Sequence, residues 1–296
     1  EMDNYHIPVM LNEALDNLKI KPDGKYIDCT LGGGGHSLAI IKSLSNNGFL
    51  LSLDWDDDSI NYVKNIKTDL VYEARWELKK TNFLEITKVI KEINTGKVDG
   101  VLFDLGMSSH QIEETDRGFS FRADAELDMR MDRDLSLKAV DLVNGLYVKE
   151  IEKLLKVYGE EPNARRIAAE IGRARKINRI KTTLELLNVI QKVVPFKVRR
   201  KTAMRVFQAL RIAVNDEINN LSSGLPQALE LLASGGRCVV ISFHTLEDRV
   251  VKNIFKDYED KKMGLRITRK PILPSEEEIL ENNRSRSAKI RVFEKL

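Results

Sequence analysis

The sequence has few cysteines and no long apolar runs, and both shortages limit what the protein can be. Its 296 residues include only two cysteines, Cys29 and Cys238, both in apolar, strand-like segments. Two cysteines cannot form a disulfide framework, so we expect buried, reduced thiols and a cytoplasmic location. The longest apolar runs, such as residues 238–241, have the length of a strand, far short of the ~20 residues of a membrane-spanning helix. Residues 1–8 also lack the basic-then-apolar pattern of a signal peptide. The sequence therefore predicts a protein without a membrane partner.

The composition is that of an ordinary globular protein. Hydrophobic residues make up 42% and charged residues 31% of the chain, which excludes a disordered protein. A length of 296 residues corresponds to one large domain or two modest ones.

The charge is unevenly distributed, although the formal net charge is only +3. Residues 162–211 contain fourteen basic residues and two acidic ones, and no acid interrupts residues 192–211. The rest of the chain is net acidic. A basic block in an acidic body favours an anionic partner such as nucleic acid, although a solvated helical face would have the same composition.

Strands and helices alternate over most of the chain. Apolar strands are predicted at 26–31, 48–54, 98–105 and 236–243, with amphipathic helices between them. This alternation indicates an α/β fold with a parallel sheet between layers of helices. Two late segments, 265–272 and 288–295, are typical of antiparallel edge strands.

The alternation stops between about residue 113 and residue 201. Three helical patterns follow one another there, at 148–158, 163–176 and 182–194. We interpret residues 113–201 as a helical domain inserted into a discontinuous α/β domain, which consists of residues 1–112 and 202–296. The basic block lies largely within the insertion, as a substrate-recognition domain would require.

A glycine loop follows the first strand. Residues 32–35 are four glycines, which let the backbone turn and approach a ligand closely. Asp54 ends the next strand, 20 residues after Gly34, where a carboxylate can accept both hydroxyls of a ribose. A nicotinamide dinucleotide would favour a third glycine where Ser37 stands, so the loop favours S-adenosylmethionine. A purely structural turn is the remaining alternative.

An acidic residue also ends the third strand. Asp104 is followed by a short polar loop that includes Ser108 and Ser109. In sheets of this type such a loop lies near the reactive group of the cofactor. A carboxylate there can accept a hydrogen bond from an amine, whereas a lone Asp would more simply cap the next helix.

Nine characteristic segments follow one another along the chain. They are HIPVMLNEAL (6–15), GGGGH (32–36), DLGMSSHQ (104–111), RGFSFRAD (117–124), LDMRMD (127–132), YGEE (158–161), FQALRIAVNDE (207–217), ISFHTLEDRVVK (241–252) and RSRSAK (284–289). Together they resemble the RsmH family, formerly called MraW, of S-adenosylmethionine-dependent methyltransferases that modify the N4 amine of a cytidine in small-subunit ribosomal RNA. The resemblance extends from residue 6 to residue 289.

The resemblance implies a class I (Rossmann-like) methyltransferase sheet with an inserted helical domain. It also implies a substrate cytidine in the decoding centre of 16S rRNA, which we expect to be methylated within an assembled or nearly assembled 30S subunit. Cofactor contacts are implied at Gly34, Gly35, His36, Asp54, Phe83, Asp104 and Gln111. We expect Asp104 to take part in catalysis, with Ser108 and Ser109 orienting the base. RNA contacts are expected at Arg199, Arg200, Lys201 and Arg205. No metal is needed, because a sulfonium is already a good leaving group.

Several interpretations stay open at this stage. Phe119 and Phe121 could stack on an unstacked base or pack within the insertion. His244, Glu247 and Asp248 could bind a metal, although a helix start capped by Thr245 explains them better. An RNA-binding assembly factor, a dehydrogenase and a methyltransferase acting on small molecules or DNA are the alternative functions. The oligomeric state is also open, a homodimer included.

Overall fold

The computed structural model describes residues 7–68, 70–107 and 115–296. The chain divides into two compact units, one formed by residues 1–109 and 218–296 and the other by residues 110–217. No described helix is both long and apolar enough to cross a membrane.

The first unit is built on a seven-stranded sheet of order β3-β2-β1-β4-β5-β7-β6. Strands β1 to β5 are mutually parallel where they pair, and β7 runs antiparallel to both β5 and β6. The predicted α/β fold with a parallel sheet is thus confirmed. The strands are β1 Lys25–Asp28, β2 Phe49–Asp54, β3 Arg75–Lys80, β4 Val98–Asp104, β5 Leu232–Ser242, β6 Gly264–Arg266 and β7 Lys289–Lys295.

Three details of the sheet differ from the prediction. Strand β7 lies between β5 and β6, so of these two late segments only β6 forms an edge of the sheet. The segment 265–272 was expected to be one strand, but β6 ends at Arg266 and a single bridge joins Ile272 to Ile290. Strand β3 is absent from the sequence prediction, because it forms the other edge and Trp76 is its one fully buried residue.

Helices cover both faces of the sheet, since neighbouring strand residues point to opposite sides. Ile27 joins a core cluster with α4, α10 and α11, whereas its neighbour Tyr26 joins a second cluster with α1, α2 and α3. The helices of the first unit are α1 Leu11–Leu18, α2 Gly35–Lys42, α3 Asp57–Lys67, α4 Ile86–Ile93, α10 Glu217–Leu231, α11 Thr245–Asp260 and α12 Glu276–Glu281. The first residue of α10, Glu217, is counted with the second unit.

The second unit is helical. Its longest helix, α9, packs against α5, α6 and α8 through a buried face that includes Val206 and Leu210. Because of this packing the unit extends to Glu217, beyond the expected boundary at residue 201. The helices are α5 Ala139–Gly145, α6 Val148–Val157, α7 Ala164–Ile177, α8 Thr183–Val193 and α9 Arg199–Asn215. The assignment of this unit to substrate recognition stays a prediction.

Candidate functional site

The carboxyl ends of β1, β2 and β4 lie side by side at one edge of the sheet. Strand β1 is the middle strand, and its last residue, Asp28, is in register with Ser52 of β2 and Leu102 of β4. In open α/β sheets ligands bind at this edge, outside the strand ends. The polar residues that follow these three strands therefore define the candidate site.

The glycine loop between β1 and α2 has a tightly fixed backbone. Leu31 N–H donates to the Leu53 carbonyl (2.8 Å), and Gly34 N–H donates to the Leu31 carbonyl (2.7 Å). Gly34 has a φ of +81°, and a Cβ atom there would lie 2.9 Å from Cγ2 of the buried, β-branched Val63. Only glycine meets both requirements at this position. The loop thus presents backbone to a ligand, and α2 begins immediately after it at Gly35.

A chain of buried hydrogen bonds fixes the first turn of α2 against the strands. Trp76 Nε1–H donates to Ser52 Oγ (2.9 Å), which lies 2.7 Å from Ser37 Oγ. Ser37 in turn donates to Asp28 Oδ2 (2.6 Å). Burial raises the pKa of Asp28, while the bonds from Ser37 and Thr30 lower it. Ser37, which stands where a dinucleotide loop would have glycine, therefore has a structural partner here.

Asp54 lies at the end of β2 with both carboxylate oxygens engaged by the backbone. Gly32 N–H donates to Oδ2 (2.8 Å), and Asp56 N–H donates to Oδ1 (2.9 Å). Burial raises the pKa of Asp54 to about 7 against the opposing effect of these two hydrogen bonds. Each carboxylate oxygen can accept more than one hydrogen bond, so the group can still receive ligand hydroxyls. Asp54 thus joins the glycine loop to the second strand.

Asp104 ends β4 with one carboxylate oxygen that has no hydrogen-bond partner in the described part of the chain. Its backbone N–H donates to Thr30 Oγ1 (2.6 Å), which links it to the glycine loop. Oδ1 is fully buried and has no hydrogen-bond partner among the described residues. Burial raises the pKa of Asp104 well above its ordinary value, and the charges of Asp28 and Glu247 raise it further. A buried, unsatisfied carboxylate oxygen at a functional edge indicates a place for a ligand donor.

His36 faces Asp104 from the first turn of α2. Its Nδ1 lies 3.5 Å from Asp104 Oδ2, and its Nε2 lies 3.1 Å from the Val9 carbonyl. The segment containing Val9 is held by the end of the chain, because Met10 N–H donates to Glu278 Oε1 (3.0 Å) and Asn282 donates to the carbonyl of Ile7 (3.0 Å). The C-terminal helix α12 and the residue after it thus fix the carbonyl that orients His36, a role that sequence reasoning missed.

Phe83 follows β3 at the same edge of the sheet. It starts a short 3-10 helix, Phe83–Glu85, and the preceding Thr81 N–H donates to the backbone carbonyl of Asp54 (2.8 Å). The Phe83 ring packs edge-on against Phe103, with centroids 5.3 Å apart, and a Cβ at Gly224 would meet it at 2.5 Å. Phe83 is therefore a partly buried packing residue close to the site, and its contact with a cofactor stays a prediction.

Three predicted site residues, Ser108, Ser109 and Gln111, lie outside the described residues. The structure therefore brings together Gly34, Gly35, His36, Asp54 and Asp104 and leaves the loop after β4 untested.

In the second unit the four predicted RNA contacts differ in their surroundings. Arg200 and Lys201 are exposed at the start of α9. Among the described residues, no acidic side chain lies within ion-pair distance of either of them. Arg199 lies beneath the ring of Phe196. Arg205 instead lies 3.5 Å from Oε2 of Glu161, a buried carboxylate. Arg205 therefore has a structural role, because it neutralises a buried charge of its own unit.

The two aromatic candidates for base stacking are packed inside the second unit. Phe119 is 7% exposed and contacts the Arg117 guanidinium, and Phe121 packs edge-on against Phe207 with centroids 5.1 Å apart. The interpretation of these residues as packing groups is the one that the structure favours. The neighbouring LDMRMD segment is the buried, salt-bridged loop that its pattern predicts, with Arg130 paired to Asp128 at 2.7 Å.

The residues weighed as metal ligands lie at the start of a helix. His244 is the N-cap of α11, and Glu247 accepts hydrogen bonds from the backbone N–H groups of Phe243 (2.8 Å) and His244 (3.3 Å). Asp248 pairs with Arg291 at 2.6 Å. The expectation of a capped helix with acids in its first turn holds, but Thr245 as the cap is wrong, since Thr245 is the first helical residue.

Comparison with solved structures supports the α/β fold that the sheet order defines. A Clostridium thermocellum protein provisionally described as an rRNA methylase superposes with a TM-score of 0.50 at 15% identity, covering 98% of each chain. This likeness concerns the fold alone. Together with the sheet described above, it shows a Rossmann-like α/β fold.

Comparison of sequences gives the family. The model of the MraW methylase family matches residues 3–296. A protein of Clostridioides difficile (strain 630) named ribosomal RNA small subunit methyltransferase H is 46% identical over 313 residues, covering 100% of both chains. A protein of Fusobacterium nucleatum with the same name is 43% identical over 310 residues, covering 99% of this chain and 98% of the relative. The chain belongs to the MraW methylase family and is an S-adenosylmethionine-dependent methyltransferase.

The described residues fit that cofactor. The loop before Gly34 exposes backbone and no side chain, and Asp54 is a carboxylate at the end of the second strand. Asp104 Oδ1 is a buried acceptor to which no described residue donates a hydrogen bond.

Proposed function

We propose that this protein transfers a methyl group from S-adenosylmethionine to the N4 amine of a cytidine in the decoding centre of 16S rRNA. The observation that carries the proposal is Asp104 Oδ1, a buried acceptor that faces no donor among the described residues. An amine that carries two N–H groups is the kind of substrate that such an acceptor can hold. The names of the two full-length relatives support small-subunit rRNA as the substrate.

The cofactor would be held by the glycine loop and by two acids. Gly34 and Gly35 let the backbone approach its amino-acid part, and Asp54 accepts hydrogen bonds from its ribose hydroxyls. Phe83 and Gln111 would complete the contacts from the loops that follow β3 and β4. When bound, S-adenosylmethionine supplies an electrophilic methyl group on a sulfonium.

Asp104 makes the N4 amine of cytosine a better nucleophile. The nitrogen lone pair is delocalised into the ring, so the amine reacts poorly until a hydrogen bond favours a pyramidal nitrogen. Asp104 accepts an N–H from the amine at Oδ1 and holds the nitrogen in place, and positioning of this kind supplies much of the rate. Because burial raises its pKa, the Asp104 carboxylate is also basic enough to take the proton that the nitrogen loses on methylation.

His36 keeps Asp104 in the productive orientation. Its Nε2 is directed at the Val9 carbonyl, which leaves Nδ1 facing Asp104 Oδ2. The carboxyl group is thus restrained at one oxygen and open at the other. Ser108 and Ser109 would orient the base beside it.

The second unit would hold the RNA. Exposed Arg200 and Lys201 can contact phosphates, whose charge dominates the affinity of proteins for nucleic acids. We propose an assembled or nearly assembled 30S subunit as the substrate, because the decoding centre takes its shape only when distant parts of the RNA are folded together. Small ribosomal subunits place the enzyme in the cytoplasm.

Methylation of 30S subunits that lack their own modification tests this function. The purified protein is incubated with methyl-labelled S-adenosylmethionine and either these subunits or naked 16S rRNA, and the RNA is digested to nucleosides. We expect label in N4-methylcytidine at one decoding-centre site, with the subunits as the better substrate. The Asp104→Asn variant is expected to bind the cofactor and leave the RNA unlabelled.

Two outcomes contradict the proposal. RNA without label, in a protein shown to bind the cofactor, indicates an assembly factor or an enzyme for another substrate. Label at a ring carbon or a ribose oxygen contradicts the role given to the amine.

A further inference from the structure

Phe196 is an exposed aromatic residue inside the basic block. It begins the short 3-10 helix Phe196–Val198 that precedes α9, and 82% of its surface is accessible. The Arg199 guanidinium lies 5.6 Å from the centroid of its ring. Beyond this contact, a phenyl ring of such exposure adds little stability to its own unit, because it buries little apolar surface.

The surroundings of Phe196 are basic. Lys197, Arg200 and Lys201 are all exposed, and no acid among the described residues lies within ion-pair distance of them. Arg199 has a buried Nε without a hydrogen-bond partner in the described part of the chain, so its guanidinium is held against the ring rather than in a salt bridge. The surface therefore combines an aromatic face with three cations, and it attracts an anionic partner that carries flat apolar groups.

The apolar surface around Phe196 is too small for a membrane. Helix α9 buries most of its apolar residues, among them Ala203, Val206 and Phe207, and leaves Met204 exposed. An interfacial helix would instead present an apolar face along its length. An unpaired RNA segment needs only one aromatic face for each base, together with cations for its phosphates. The charge and the small apolar area thus favour single-stranded RNA.

We infer that Phe196 and Arg199 form a stacking platform for one unpaired base of the RNA substrate, with Lys197, Arg200 and Lys201 on the adjoining phosphates. The inference rests on the proposed function for the identity of the RNA. It adds a contact that recognises unpaired RNA by stacking, beside cations that attract any nucleic acid.

Binding of a fluorescein-labelled twelve-residue oligouridine and of its duplex with oligoadenosine tests the platform. Phe196→Leu keeps the apolar volume but removes the aromatic face, and we expect it to weaken single-strand binding about tenfold. Its affinity for the duplex and the dependence of single-strand affinity on salt should stay unchanged. Lys201→Gln should instead weaken both RNAs and reduce the slope of log affinity against log salt by about 0.7.

Two further variants serve as controls. Phe196→Trp restores an aromatic face, so it should bind oligouridine as tightly as the unchanged protein, and its added indole fluorescence should be quenched by the RNA. Leu280→Ala removes an equally exposed apolar side chain of the acidic helix α12, and should change neither RNA affinity.

Three results overturn the platform. The first is unchanged oligouridine binding by Phe196→Leu, and the second is an equal loss of affinity of this variant for the single strand and the duplex. The third is that Phe196→Leu loses binding to phosphatidylserine vesicles while its RNA binding is unchanged. The outcome is separate from that of the methylation assay. A protein that shows these RNA effects but leaves 16S rRNA unlabelled retains the platform and loses the proposed function. A protein that labels 16S rRNA but shows none of these RNA effects retains the proposed function and loses the platform.

Discussion

His36 Nδ1 lies 3.5 Å from Asp104 Oδ2, so the imidazole faces the carboxyl group from the first turn of α2. The other ring nitrogen, Nε2, lies 3.1 Å from the Val9 carbonyl, which can only accept a hydrogen bond. A neutral imidazole with its proton on Nε2 therefore presents a lone pair to Asp104, and a hydrogen bond between the two side chains needs a proton from the acid. Burial and the charges of Asp28 and Glu247 favour that protonated acid in the absence of substrate.

The Asp104→Asn variant should lose turnover while keeping most of its cofactor affinity. An amide keeps the shape of the side chain but cannot take a proton, so we expect kcat to fall about 10²- to 10³-fold. In the unchanged protein kcat/KM should rise with pH as Asp104 loses its proton, and this rise should be absent in the variant. Steady-state kinetics and calorimetric titration with S-adenosylhomocysteine measure the two effects.

The matched control is Asp99→Asn, at the opposite end of the same strand. Asp99 pairs with Lys21 at 2.9 Å, far from the carboxyl edge of the sheet, and its loss should leave kcat unchanged. Equal losses of kcat and cofactor affinity in Asp104→Asn would make Asp104 a binding residue only.

Cofactor affinity should increase as the pH rises through 7. The pKa of Asp54 is about 7, and ribose hydroxyls donate to its ionised form. Below that pH the association constant should therefore fall by up to about tenfold per pH unit. Titration calorimetry between pH 5.5 and 8.5 checks this, and Asp54→Asn should bind weakly with a flatter pH dependence.

The stability of the cofactor-free protein should change with pH in the opposite direction. A carboxyl whose pKa is raised by folding stabilises the folded chain below its unfolded pKa, and this contribution is lost as the pH rises through about 7. Urea unfolding should therefore show the free energy of unfolding falling with pH more steeply than in Asp54→Asn. Parallel curves for the two proteins would refute the raised pKa.

Gly34→Ala should weaken cofactor binding by more than its effect on stability explains. The new methyl group would lie 2.9 Å from Val63 Cγ2 at a φ of +81°, so the loop must move. Gly96→Ala is the control, because Gly96 has a φ of +76° with no atom within 4 Å of the new Cβ. Both variants should lose about 1 kcal/mol of unfolding free energy, and only Gly34→Ala should bind the cofactor at least tenfold more weakly. Equal cofactor affinities would show that the loop does not approach the ligand.

Arg205→Gln should act on stability, and Arg200→Gln on RNA binding. Arg205 neutralises Glu161, which is 2% exposed, and its loss should cost about 2 kcal/mol because a buried charge stays unpaired. Arg200 is exposed at the start of α9, so its replacement should change stability by less than about 0.5 kcal/mol. Urea unfolding and oligouridine binding separate the two effects. A fully stable Arg205→Gln protein with weakened RNA binding would instead support the RNA contact expected from the sequence.

The acids of the site could be predicted from the sequence because they end buried parallel strands. Such strands are continuous apolar runs, so the polar residue after each run marks the ligand edge. Strand β3 escaped prediction for the converse reason, since an edge strand with one buried residue, Trp76, has no apolar pattern. The cap of α11 was misassigned because His244 is an uncommon capping residue beside a common one, Thr245.

Contacts between distant parts of the chain could not be predicted. The anchoring of Val9 by Glu278 and Asn282 joins residues about 270 positions apart, and neither end has a motif that indicates the other. Phe196 also carries no periodic signal, because one exposed aromatic residue in a basic segment looks the same whether or not it contacts a ligand.

The order of the strands constrains how the protein is made. Strand β4 pairs with β5, which follows the whole second unit in the chain. During synthesis the edge of β4 stays without its neighbour while more than a hundred further residues are added, which takes on the order of ten seconds. The helical unit is synthesised complete in that interval, whereas the sheet closes only when β5 and β7 have left the ribosome. A nascent chain that has emerged only as far as residue 231 would carry a folded helical unit and an aggregation-prone half-sheet.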